Sequence, residues 1–290
     1  MLGRAVQTGS MLAISTLAII VAAACSSEPK ADATPGGSSG ETPGTLDPPD
    51  NPDPGKVGDG GTSGKDGETD TGPNGPFGEI LGTLSGSCGV VKTLLTTKSP
   101  TLENNVLAFA AGEKWEKASL SPGGQTILET PNAGGSSIES EVMSFEVLRF
   151  CEGAKLLKTE IDIKYAEPDG GPAAMTDILV EIGGMKVGVS VTRAYRPPNQ
   201  TLTDADVKNL LERKLEDINV SSQRVVAADK WVKQVLHVFA VNKNAADAVA
   251  RVLPGIDAAL KADTVVLVTQ TTGGGFVYCN PDPPLGSECQ

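Results

Sequence analysis

A chain of 290 residues with 39% hydrophobic content can build one or two domains with a buried core. Its formal net charge is -12, and no block of lysines or arginines offers a nucleic-acid surface, so a nucleic-acid partner is not expected. The acidity is uneven: ten acids and three bases fall between Ser26 and Pro76, leaving the rest of the chain only mildly acidic.

The chain opens with one basic residue, Arg4, followed by an apolar run from about Met11 to Val21 and then Ala22-Ala23-Ala24-Cys25. A charged start, a short apolar segment and small residues are the layout of a secretory signal over residues 1–24. The run is shorter than the roughly 20 residues that span a bilayer as a helix. Small residues directly before a cysteine resemble a bacterial lipobox, although Ala22 stands where leucine is usual. That resemblance implies a lipidated Cys25 and a membrane partner reached through the lipid. Ordinary cleavage after Ala24 is the competing reading. Ser26 after the cysteine resembles the sorting signal of Gram-negative outer-membrane lipoproteins.

Residues 25–76 form the next segment. Its stretch "DPPDNPDPGKVGDGGTSGKDGETDTGPNG" holds no aromatic and Val57 as its one large aliphatic. Such a composition cannot bury enough apolar surface to offset the entropy of ordering, so a disordered acidic tether is expected. A globular α/β domain is expected over 77–290, with its core in 140–270. Apart from Cys25, the cysteines are Cys88, Cys151, Cys279 and Cys289. An even number in an exported domain suggests disulfides. Proximity pairs Cys279 with Cys289, which leaves Cys88 with Cys151. Zinc ligation is the competing reading, and the spacing contains no CxxC.

Along the domain, "NNVLAFAAGEKWEKASL" is of mixed, strand-like character, and a short strand is expected at Thr126 to Glu129 inside a loop. Val142, Phe145 and Leu148 follow helical spacing, with Ser140 as cap and Gly153 as stop. Leu157, Thr159, Ile161, Ile163 and Tyr165 alternate with period two, a strand. "TDILVEIGGMKVGVSVTRAY" reads as two strands turning at Gly183-Gly184. Thr203 caps a helix that carries Val207, Leu210, Leu211 and Leu215 on one face. "KQVLHVFAV" and "TVVLVTQ" read as strands buried on both faces, separated by a helix that Pro254 bends. A mixed sheet flanked by helices follows.

The order helix, three strands, helix, strand from about Ser140 to Val241 resembles the core of the restriction-endonuclease-like, or PD-(D/E)xK, superfamily. There, an acid from the first helix, an acid opening the second strand and a (D/E)xK triplet on the third assemble a Mg²⁺ site. Carboxylates hold the cation beside a phosphate, and the lysine positions or activates water. The resemblance places the helix acid at Glu141, with Glu146 as substitute, and the strand acid at Asp177. Glu181 shares the face of Asp177. The triplet positions fall on Ser190 and Thr192, two neutral residues on one face of the strand. Lys158 and Lys186 are candidates for a relocated lysine.

Each residue also has a plain structural reading. Asp177 can cap a strand or bind a backbone amide, Glu141 can serve a helix first turn, and Ser190 and Thr192 can bond within a sheet. Arg193 can pair with Asp177 or Glu181 or bind an anion, and an ion pair at the strand end is the plain reading. His237 lies mid-strand, as a core residue would, and no G-x-S-x-G supports a triad. The expectation is therefore an envelope lipoprotein whose nuclease-like domain binds or has a structural role, with no cofactor and with an envelope protein as partner. The alternative is an exported, Mg²⁺-dependent phosphodiesterase using Glu141 and Asp177 as metal ligands.

Overall fold

A computed structural model describes residues 77–278, apart from 112, 114–115, 132–137, 167–173 and 198. The signal segment, Cys25, the acidic tether, Trp115, Cys279 and Cys289 lie outside the described residues. A seven-stranded mixed sheet organises the domain. Its strands are β1 (Thr83–Gly86), β2 (Thr101–Ala108), β3 (Lys155–Thr159), β4 (Ile178–Ile182), β5 (Met185–Ala194), β6 (Lys233–Ala240) and β7 (Val265–Thr272). They lie in the order β1-β2-β7-β6-β5-β4-β3. The run β2-β7-β6-β5 is parallel, while β1 pairs antiparallel with β2 and β4 antiparallel with both β5 and β3.

Every residue of β6 is buried, as is most of β7. Their nearly unbroken apolar runs follow from having helices on both faces. On one face, α3 (Ile138–Glu152) packs on Val187, Val189, Val191, Val235 and Phe239. On the other, α4 (Asp204–Arg224) and α5 (Lys243–Val252) cover Ala194, Leu236, Val238 and Ala240. The order α3-β3-β4-β5-α4-β6 is the expected α-β-β-β-α-β core, extended by α5 and β7.

The α4 helix begins with a reciprocal capping box, in which the Thr203 hydroxyl accepts from the Asp206 N–H and the Asp206 carboxylate accepts from the Thr203 N–H. Such a cap contributes about 1 kcal/mol. Val207, Leu211, Leu215 and Ile218 then form its buried stripe, each side chain contributing roughly 2 kcal/mol on burial. Gly183 and Gly184 turn the β4–β5 hairpin at φ 58° and 80°, as a type I′ turn requires.

The α3 helix is buried on nearly all sides, because α2 (Pro122–Glu129) and a 3-10 turn at Gly275–Tyr278 cover what the sheet leaves open. Two of its glutamates hold neighbouring helix starts. Glu146 accepts from the Ser121 N–H and hydroxyl at the head of α2. Glu152 accepts from the Val91 and Lys92 N–H groups that open α1 (Val91–Leu94). Beside it, a disulfide joins Cys88 to Cys151 across 63 residues of sequence, as expected.

Four expectations are corrected. Thr126 to Glu129 is the end of helix α2, not a strand; Ser121 caps it by accepting from Gly124 N–H, and Pro122 stands at its first turn, a helix-start pair. The strand expected to run to Tyr165 stops at Thr159, where a 3-10 turn over Glu160–Asp162 takes over. Tyr165 keeps only an isolated bridge to Val225. Ser140 does not cap α3, which is already helical at Ile138, and it lies fully buried inside the helix. Pro254 ends a helix instead of bending one: α5 stops at Val252, and a short α6 (Ala258–Lys261) follows.

Candidate functional site

The candidate residues sit where α3, β4 and β5 begin or end. Strand β4 starts at Ile178, which pairs with Val189, so Asp177 lies one step before the ladder. Its Oδ2 accepts the Val191 N–H at 2.6 Å, a donor on β5 that the short β4 leaves without a backbone partner. The carboxylate thus completes the ladder. Burial raises its pKa, opposed by the Lys214 charge and the Val191 N–H.

Ser190 and Thr192 alternate with Val189 and Val191 along β5, which puts them on the face of Ala194, beneath α4. They are 3% and 7% exposed. Glu141 lies on α3, over the opposite face. The sheet therefore separates Glu141 from the two triplet positions. What the fold does bring together is Glu141 and Asp177, which line one small cleft of about 10 Å³ with Thr159 and Glu160, room for about one water.

The donors do not fit a Mg²⁺ site of the nuclease type. Three carboxylate-bearing residues, Glu141, Glu160 and Asp177, line the cleft, but Asp177 is bonded to a backbone amide, and the triplet positions offer buried neutral hydroxyls. No group of three or more His, Cys, Asp or Glu residues able to hold a metal ion occurs among the described residues. The substitutes are engaged elsewhere. Glu146 caps α2, Glu181 pairs with Lys155, Lys158 pairs with the buried Asp229, and Lys186 donates to the Ala228 carbonyl. Burial pushes the Asp229 pKa up, but hydrogen bonds from Lys158 and the Lys164 N–H outweigh it, and the net shift is downward.

His237 is fully buried. Its Nδ1 lies 2.8 Å from the Ser144 hydroxyl and its Nε2 lies 2.7 Å from the Thr269 hydroxyl. Burial drives its pKa down to about 3, so the ring is neutral and completes a core network. Ser144 and Thr269 are themselves fully buried, which closes this serine–histidine pair to any substrate.

The sequence reading missed Glu139. It is 2% exposed, and neither carboxylate oxygen has a hydrogen-bond partner among the described residues. Burial raises its pKa to about 7, against smaller opposing effects from its own backbone N–H and from Arg193. Arg193, expected to pair at the strand end with Asp177 or Glu181, instead faces Glu139 and Glu141; burial lowers its pKa and those acids oppose the shift. Glutamate at the second position of a helix reads in sequence as a solvated first-turn acid, so nothing local signals its burial.

No family model matches the chain. The chain is 40% identical over 166 residues to the AAC-rich mRNA clone AAC4 protein of Dictyostelium discoideum, covering 55% of this chain and 24% of that protein. It thus spans about a quarter of the length of that curated relative. The structure of Pyrococcus furiosus SfsA in complex with Ca²⁺ aligns at 14% identity over 50% of this chain and 70% of its own, with a TM-score of 0.23. A score of that size carries no argument about fold or activity.

Proposed function

We propose that this chain is a lipid-anchored protein of the bacterial cell envelope whose α/β domain binds a ligand and does not cleave phosphodiesters. The observation that supports the non-cleaving part is the state of Ser190 and Thr192. They occupy the triplet positions as neutral, buried residues, on the sheet face away from Glu141. Metal-assisted hydrolysis needs anionic ligands converging on one ion and a group that activates water. The test is incubation of the purified protein with Mg²⁺ or Mn²⁺ and single- or double-stranded DNA or RNA. No cleavage above a metal-free control is expected. Robust cleavage that Asp177→Ala abolishes would reverse the reading.

One observation favours a second reading, a divergent metal-dependent phosphodiesterase: Glu141 and Asp177 do share a cleft. The same assay separates the two, since that reading requires activity sensitive to Glu141→Gln as well as to Asp177→Ala.

The anchor rests on Ala22-Ala23-Ala24-Cys25 and the acidic tether after it. Attachment to the outer membrane, with a protein partner in the envelope, belongs to the same proposal. Metabolic labelling with a fatty-acid analogue should mark the wild type and spare Cys25→Ser. Equal labelling of both would remove the anchor.

A further inference from the structure

Where β5 leaves the sheet, the chain lines a groove. It consists of two clefts, of about 370 and 500 Å³, that share Tyr195, Arg196 and Leu202. The first half of α4 adds Leu210 and Arg213 to one, and the start of α5 adds Ala245 and Ala248 to the other. Most of the positive charge here is already matched. Arg193 faces Glu139 and Glu141, Arg196 pairs with Asp206, and Arg251 pairs with Asp204. Arg213 is exposed and makes no hydrogen bond or ion pair with any described residue. The groove therefore offers one available guanidinium beside a half-buried apolar strip of Tyr195, Leu202 and Leu210.

Tyr195 also marks where the following chain sets out. Its ring lies 5.1 Å, centroid to centroid, from that of Tyr278, the last described residue. Tyr278 is buried, and its hydroxyl lies 2.8 Å from that of Thr271, so the chain leaves the domain from a fixed point beside the groove. The sequence from Cys279 onward reads "CNPDPPLG". Proline-rich segments lose little freedom on docking and are taken up by grooves lined with aromatic side chains. Asp282 is the first acid after Tyr278. Extended chain reaches about 12 Å over that interval at about 3.1 Å per residue. The α4 helix rises about 10 Å from Asp206 to Arg213, so the aspartate can span the cleft. One acid and one unmatched guanidinium are complementary in charge.

We propose that residues 280–286 of this chain dock in the groove, with Pro283, Pro284 and Leu285 against Tyr195, Leu202 and Leu210 and with Asp282 paired to Arg213. The contact is internal to the chain, so it stands whether or not the domain binds a ligand or cleaves phosphodiesters.

Photo-cross-linking of the full chain, carrying benzoylphenylalanine in place of Leu285, tests it, with the joined peptides located by mass spectrometry. Cross-links within one molecule, into the segment 195–213, are expected. Arg213→Glu should lower their yield about threefold or more, as expected when an exposed ion pair becomes a repulsion. Adding Asp282→Arg to Arg213→Glu should restore it, which a merely unfolded variant would not allow. Lys155→Glu, on the edge strand β3, should leave the yield unchanged. Cross-links that fall mainly outside 195–213, a yield indifferent to Arg213→Glu, or a charge swap that fails to restore it would each overturn the proposal. Cross-links that join two molecules would overturn it too, and would give the groove to a second copy of the chain.

Discussion

Glu139 offers the sharpest link between one residue and a bulk measurement. Its carboxylate is 2% exposed with no hydrogen-bond partner among the described residues, and burial moves its pKa from 4.5 to about 7. The folded state therefore holds this proton more tightly than the unfolded chain. Stability from this group is fully present below pH 4.5 and is lost as pH rises to about 7. At 1.36 kcal/mol per pH unit, the shift corresponds to at most about 3.4 kcal/mol. Solvent screening near the helix start reduces this to about 2 kcal/mol. Glu139→Gln keeps the shape and removes the charge. Urea unfolding should find the variant about 2 kcal/mol more stable than wild type near pH 8 and within about 0.5 kcal/mol of it near pH 4.5. His237 contributes the opposite slope, since its depressed pKa makes stability fall as pH drops from 6.5 towards 3, but that slope is common to both proteins and cancels in the difference. A variant no more stable than wild type near pH 8 would refute the argument, because an ionised, unpartnered Glu139 would then cost nothing to bury.

Removing the Cys88–Cys151 bridge by serine at both positions frees a 63-residue separation, and chain entropy puts the loss at about 4 kcal/mol, read as a lower urea midpoint. Asp177→Ala strands the Val191 N–H and should cost about 2 kcal/mol, while Asp177→Asn, which can still accept that bond, should cost less than half as much. Equal losses would show that the charge, not the hydrogen bond, matters there. By NMR, the His237 ring should stay neutral from about pH 8 down to about pH 5; a titration near 6.5 would contradict its burial.

Much of the frame was legible because its signals are local. The Thr203 cap and the stripe through Leu215 specify α4, two glycines specify the hairpin, and unbroken apolar runs specify β6 and β7. The failures have local causes as well. The Gly123-Gly124 pair hid the helix announced by Ser121 and Pro122. Beyond Thr159 the period-two pattern continues, but the chain turns at Glu160 and the alternation no longer maps onto a sheet. The site was half legible. The resemblance put Glu141 and Asp177 at one site and the two do share a cleft, yet the order of elements could not say that the sheet stands between Glu141 and Ser190.

That separation changes how the neutral triplet is understood. If Ser190 and Thr192 faced Glu141 across an open cleft, two substitutions back to acid and lysine would suffice to rebuild a metal site. They instead lie under α4, where an ionised pair would have to be desolvated between packed aliphatic residues. Such burial costs several kcal/mol per ion unless compensated. The Ser190→Asp, Thr192→Lys double substitution should therefore lower stability by several kcal/mol and confer no cleavage. A stable, active double variant would mean that the cleft opens to that face, and that the β5 residues are a resting form of a catalytic strand.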